Sequence, residues 1–204
     1  MIGIIEYDMG NIQSVANALE YLSVPAKIIT KPEELSGVDK IILPGVGAFG
    51  EGMEKLAERG FIEALNKEVL NKRKYFLGIC LGMQLICKES FEFGHFKGLG
   101  WLDVSVRKLK PASNFRVPHV GWNNLIIKKE NRLINFNSGD GASDVYFVHS
   151  YYADASNADF VIATCEYGME FPVAIEKDNI FATQFHPEKS QGVGLDILGN
   201  FSRL

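Results

Sequence analysis

Short aliphatic runs alternate with amphipathic stretches through the first ninety or so residues of this chain, and the two periodicities predict the elements. Met1 to Tyr7 reads as a buried strand, and Asp8-Met9-Gly10-Asn11 turns out of it. Asn11 stands where it can cap a helix whose apolar positions Ile12, Val15, Ala16, Leu19 and Leu22 keep helical spacing. Val24-Pro25 ends that helix, Ala26 to Thr30 gives a second strand and Val38 to Leu43 a third. A helix is expected near Glu51 to Lys72, with Met53, Leu56, Ala57, Leu65 and Val69 facing inward. Strands alternating with helices at this spacing form parallel βαβ units, and so a doubly wound sheet.

The texture changes after Lys88. Trp101 to Val106, Asn123 to Ile127 and Val145 to Val148 read as strands, and Phe160 to Thr164, Val173 to Lys177 and Ile180 to Phe185 follow with only short turns between them, the pattern of an antiparallel extension. Gly194 to Leu204 puts Leu195, Leu198 and Phe201 on one helical face. The expectation is a three-layer α/β fold with a mostly parallel sheet, residues 1–204 forming one domain.

The most informative stretch is Tyr75 to Lys88. Tyr75-Phe76-Leu77 reads as strand, Met83 onward as helix, and Gly78-Ile79-Cys80-Leu81-Gly82 joins them. This is a G-x-nucleophile-x-G turn with cysteine in the central place. A turn this sharp would make side chains two residues either side collide, and the two glycines remove that collision. The helix N-terminus beneath the sulfur supplies positive potential. Cys87 and Cys165 lack flanking glycines and are expected in the core.

Pro44-Gly45-Val46-Gly47-Ala48-Phe49-Gly50 admits two readings. Its glycine spacing fits the dinucleotide fingerprint, but the next strand ends without the acid that would hold a ribose. The other reading is an oxyanion hole, glycine-flanked amides at a strand end pointing at a carbonyl near Cys80. Late in the chain, Pro187 holds His186 extended, so that His186 and Glu188 are expected to face one side. An imidazole beside a thiol, oriented by a carboxylate, activates a cysteine and later protonates a leaving group. His95, His119 and His149 show no comparable partner at that spacing.

Composition narrows the classes. With 204 residues, 47% hydrophobic content and a net charge of -4, the chain shows no charge excess that would suggest nucleic acid or a membrane surface as partner. Three cysteines without a paired spacing argue against a disulfide framework or a zinc site. The opening residues lack the features of a signal peptide and no apolar run reaches spanning length, so a cytoplasmic location is expected.

Gly78-Ile79-Cys80-Leu81-Gly82-Met83-Gln84, the loop Pro44 to Gly50 and the late His186-Pro187-Glu188 together resemble the class I, triad-type glutamine amidotransferases over essentially the whole chain. Within that family, Tyr7 to Asn11, Pro44 to Gly47 and Pro118-His119-Val120-Gly121-Trp122-Asn123 resemble the glutaminase subunits of imidazole glycerol phosphate synthase, of histidine biosynthesis. The resemblance implies that Cys80 attacks the side-chain amide of glutamine, that His186 carries the proton and that Glu188 orients it. It implies oxyanion donors at Leu81 and the Val46-Gly47 segment, and glutamine contacts from Gln84, Glu92, Ser150 and Tyr151. Pro118, His119, Gly121, Trp122, Tyr146 and Lys189 match positions facing a synthase (cyclase) partner of β/α-barrel type, which takes the ammonia and makes imidazole glycerol phosphate and aminoimidazole carboxamide ribotide. No cofactor or metal is implied. Two departures stand out: Asp8 replaces a usual turn glycine, and Glu92 to Trp101 looks more like paralogues supplying ammonia for surface-polysaccharide sugars. That paralogous role is the alternative for the acceptor. A nucleotide-binding module and a cysteine hydrolase acting alone are the competing classes.

Overall fold

A computed structural model describes residues 1–135, 144–155 and 158–204. In chain order, β1 (Ile2–Ile5), α1 (Ile12–Tyr21), β2 (Ala26–Ile29), β3 (Lys40–Gly45), α2 (Phe49–Glu58), α3 (Phe61–Leu65) and β4 (Tyr75–Cys80) build the first half. Then follow α4 (Leu81–Leu85), β5 (Cys87–Ser90), β6 (Phe96–Lys97), β7 (Leu102–Lys108), β8 (His119–Asn124), β9 (Ile126–Ile127) and β10 (Asp144–His149). β11 (Tyr151–Ala153), β12 (Val161–Glu166), β13 (Glu170–Lys177), β14 (Ile180–Thr183) and α5 (Gln191–Arg203) complete the described elements.

The main sheet has eight strands in the order β2-β1-β3-β4-β14-β13-β12-β9. β2, β1, β3, β4 and β14 run parallel, and β13, β12 and β9 add the antiparallel edge. Ile180 to Phe185, expected in that edge, supplies β14, which instead runs parallel beside β4, while β7 belongs to a four-stranded sheet and β10 pairs β8 in a two-stranded one. Apolar residues on both faces of the central strands explain the layering. Ile4, Ile42 and Leu77 pack with Val15 and Leu19 of α1 and Leu198 and Phe201 of α5. Ile5, Ile41, Leu43 and Phe76 pack with Leu56 of α2 and Phe61 and Leu65 of α3 on the other face. Each such side chain contributes about 1.5–3 kcal/mol when buried.

The long helix expected from Glu51 to Lys72 is broken. Gly60, in the left-handed conformation at φ 73°, ends α2 and starts α3, and residues 66–71 wind as a π-helical turn. Ala57, expected inward, is exposed. Asn11 precedes α1 without making a side-chain cap. β5, β6 and β11 are strands that local pattern did not announce, and the strand expected from Asn123 to Ile127 divides between the end of β8 and β9. Among the described residues no helix is long and apolar enough to cross a membrane, and no cluster of metal-ligating side chains was found.

Candidate active site

β4 and its neighbours deliver the reactive groups to one end of the sheet. Cys80 is the last residue of β4 and has φ 53° and ψ -104°, the strained conformation expected of a nucleophile turn. A Cβ on Gly78 would lie 2.7 Å from the Gly82 carbonyl oxygen, and one on Gly82 would collide with the Leu43 carbonyl. Neither position tolerates a side chain. The helix beneath the sulfur has only five residues, because the chain turns into β5 at Cys87. Cys87 and Cys165 are buried, and burial pushes both thiols up to about 12.

β14 pairs parallel with β4, which brings the late histidine beside the cysteine across more than one hundred residues. Residues 187–189 form a 3-10 turn, with Pro187 at its start and His186 extended before it. Glu188 therefore reaches His186 by winding back, not by extended alternation. The His186 Nδ1 to Glu188 Oε1 distance is 2.8 Å, with both side chains buried. Burial opposes charge on His186, but the Cys80 sulfur and the Glu188 carboxylate beside it prevail and lift it to about 10. Its Nε2 makes no conventional hydrogen bond among the described residues.

A cavity of about 340 Å³ opens over Cys80, lined among others by Val46, Gly47, Leu81, Gln84, Glu92, Ser150, Tyr151 and Lys189. Gln84 Nε2 donates to the Tyr151 carbonyl at 2.9 Å and to Gln184 Oε1 at 3.0 Å, which uses both its hydrogens. Its Oε1 is the end left for a ligand. Glu92 Oε2 accepts the Phe49 N–H at 2.7 Å, and burial pushes the Glu92 carboxyl up against that opposing bond. The Leu81 N–H opens α4, where no earlier helical carbonyl can accept it. The Val46 N–H differs from expectation: it donates to the Met9 carbonyl at 2.6 Å, so it is not available to an oxyanion in this state.

Trp122, Tyr146 and Lys189 gather next to that cavity. Trp122 and Tyr146 are paired across β8 and β10, their rings edge to face at 6.0 Å, and Lys189 Nζ sits 5.9 Å from the Tyr146 ring centre. Pro118 and Trp122 are exposed, and Gly121 holds φ 132°. His119 departs from the expected role. It is 2% exposed and stacked on Tyr167 with ring centres 3.9 Å apart, so it cannot touch a partner directly.

A family model described as glutamine amidotransferase class-I matches residues 4–203. Imidazole glycerol phosphate synthase subunit HisH 1 of Campylobacter jejuni is 47% identical over the full length of both chains. Subunit HisH of Methanothermobacter thermautotrophicus is also 47% identical, with 98% of this chain and 97% of that one covered.

The chain belongs to the class I glutamine amidotransferases.

Among solved structures, PurLQS from Thermotoga maritima superposes with a TM-score of 0.74 at 17% identity, covering 98% of this chain and 96% of that one. That likeness carries the fold alone. The class I glutamine amidotransferase site also contains groups that sequence reasoning passed over. His149 lines the cavity, and its Nδ1 bonds the Tyr151 carbonyl at 2.8 Å. Only the pairing of β8 with β10 brings His119 within 3.2 Å of it. Gln184 is fully buried and donates to the Cys80 sulfur at 3.6 Å. Its signal was present, since it stands two residues before His186 in a strand-like run. The unusual Asp8, at φ 70°, accepts from Arg59 Nε on Oδ2 at 3.0 Å and from Nη2 on Oδ1 at 2.6 Å, and that guanidinium holds its carboxyl below the ordinary range. Aspartate is among the few residues that accept this backbone conformation.

Proposed function

We propose that this chain is the glutaminase subunit of imidazole glycerol phosphate synthase: it hydrolyses glutamine to glutamate and ammonia and hands the ammonia to a synthase subunit in histidine biosynthesis. The observation that carries the reading is Cys80 on its strained turn beside the His186–Glu188 pair, in a chain 47% identical end to end to a named synthase subunit. No observation favours the sugar-pathway alternative over it.

The chemistry follows from the groups in place. The Cys80 sulfur attacks the side-chain carbonyl carbon of glutamine, and the oxygen takes the negative charge against the Leu81 N–H. His186, held as a cation, gives its proton to the amide nitrogen, the C–N bond breaks and ammonia leaves. A water then loses a proton to His186, attacks the thioester carbon and expels the sulfur, giving glutamate. Gln84 Oε1 and the second oxygen of Glu92 are acceptors, suited to the donor groups of glutamine. Ammonia is protonated in bulk water, so the partner, proposed as a β/α-barrel, must cover the cavity mouth near Trp122, Tyr146 and Lys189.

The test is Cys80→Ala. Glutamine-dependent synthesis by the complex should fall to background, while synthesis from added ammonia should continue, since only the ammonia source is lost. Cys87→Ala and Cys165→Ala should keep glutaminase activity at a modest stability cost for emptied volume. An active Cys80→Ala protein would refute the assignment.

A further inference from the structure

Which end of each buried carboxamide is nitrogen can be deduced from one fixed group. The Tyr151 carbonyl only accepts, so the Gln84 atom 2.9 Å from it must be the N–H₂ end. The same Gln84 nitrogen lies 3.0 Å from Gln184, whose facing atom must then be the carbonyl oxygen. The opposite end of Gln184, 3.6 Å from the Cys80 sulfur, is therefore N–H₂. Gln184 cannot turn over without setting oxygen against sulfur and leaving two amide donors facing each other. Its backbone N–H is tied to the Val173 carbonyl at 2.8 Å, and the residue is fully buried.

We propose that Gln184 is a catalytic hydrogen-bond donor to the Cys80 sulfur, with its polarity set by the Tyr151 carbonyl through Gln84. The inference rests on Cys80 being the nucleophile. Its consequence is for the sulfur each time it carries a full charge. Whenever the sulfur is a thiolate, the amide shares that charge with His186. When water breaks the carbon–sulfur bond of the thioester, the electron pair returns to sulfur and the same N–H receives it. A donor supplied by the fold needs no reorganisation at that moment. His186 alone would have to hold the sulfur while its own proton is used elsewhere in the cycle.

Two substitutions separate donation from packing. Gln184→Met keeps length and removes both polar ends. Gln184→Glu keeps an acceptor for Gln84, replaces the N–H toward sulfur by a carboxyl oxygen and adds a negative charge there. The measurement is the rate of Cys80 alkylation by iodoacetamide, located by mass spectrometry, as the ratio of its value at pH 5.5 to that at pH 8. Thermal melting is recorded on the same samples. The ratio should fall about tenfold in Gln184→Met, the effect of losing one hydrogen bond to a charged acceptor, and further in Gln184→Glu, where the carboxylate also repels the thiolate. A folded variant with the wild-type ratio overturns the proposal, and a lower melting temperature alone would mark Gln184 as packing only. Should neither variant fold, the Gln184 side-chain amide resonance of the native chain should move on Cys80→Ala, and an unmoved resonance overturns the proposal. If alkylated wild-type protein still released glutamate, the nucleophile assignment would fail instead, with the Gln184 ratio still measured.

Discussion

At the scale of single residues, burial without partners or against charge decides behaviour. Tyr7 is fully buried and its hydroxyl has no hydrogen-bond partner among the described residues. Burial, with the Cys80 and Glu6 charges behind it, pushes that phenol far up. An unsatisfied buried hydroxyl costs about 1–3 kcal/mol, so Tyr7→Phe should raise the melting temperature. A lower one would reveal a partner that the hydroxyl needs. His149 offers a pH test. Burial pushes it down to about 3, the Tyr151 carbonyl opposes, and the neighbouring His119 and His186 add to the depression. Unfolded histidine titrates near 6.5, so below that pH the unfolded chain binds a proton that the folded chain refuses. His149 makes no contribution above that window, and stability is lost through it as pH falls, at up to about 1.4 kcal/mol per pH unit. His149→Gln should flatten the denaturant-derived stability profile between pH 6.5 and 4.5; parallel profiles would show that His149 is not the source.

At the scale of elements, the strand–turn–helix from β4 to α4 has the least tolerance. Gly78 and Gly82 face each other inside the turn, and Gly82 also lies against the Leu43 carbonyl of β3. No flexible side chain is there to yield. Gly82→Ala must push β3 from β4 or unwind the start of α4, at a cost of about 1–3 kcal/mol or more. Glutaminase activity should be lost more completely than stability, because the Leu81 N–H and Cys80 move together with the turn. Measured side by side, wild-type turnover in a Gly82→Ala protein would show that the turn has slack which the geometry denies. By contrast Gly100, with nothing near a Cβ but φ 72°, is glycine for its backbone alone.

At the scale of the whole molecule, the Pro44 to Gly50 loop and the surface proposed to face the partner belong to one question. The Val46 N–H is held by the Met9 carbonyl, and Val46 lies between Gly45 and Gly47, whose lack of a Cβ eases reorientation of the adjoining peptides. Losing one oxyanion donor costs about 100- to 1,000-fold in rate. A docked synthase carrying its acceptor can favour the turned-in loop only by contacts that differ between the two states. The isolated chain should therefore release glutamate at least ~100-fold more slowly than the complex. Trp122→Ala should weaken that stimulation while leaving Cys80, His186 and Glu188 in place. The comparison is glutamate release by the chain alone, with partner, and with partner and acceptor. Equal rates in all three would end the gating idea without touching the nucleophile.

How much of this was legible in the sequence follows a physical boundary. Steric demands between near neighbours are written locally: two glycines around Cys80, proline after His186 and the aliphatic runs of β1, β3 and β4 each announce their own conformation. Those features located the turn, the parallel strands and the His-Pro-Glu segment, though the helix expected through Gly60 ran on because periodicity persists across a single left-handed residue. What local pattern cannot hold is the order of strands in the sheet. Gln84 meets Gln184 only because β14 lies beside β4, and His119 meets His149 only because β8 pairs with β10. The hold of Met9 on Val46 likewise depends on where two separate turns come to rest. The candidate residues were set by the sequence alone; the pull of Cys80 and Glu188 on His186, the buried donor Gln184 and the resting position of the Pro44 to Gly50 loop were decided by tertiary structure, because each depends on burial and on partners far away along the chain.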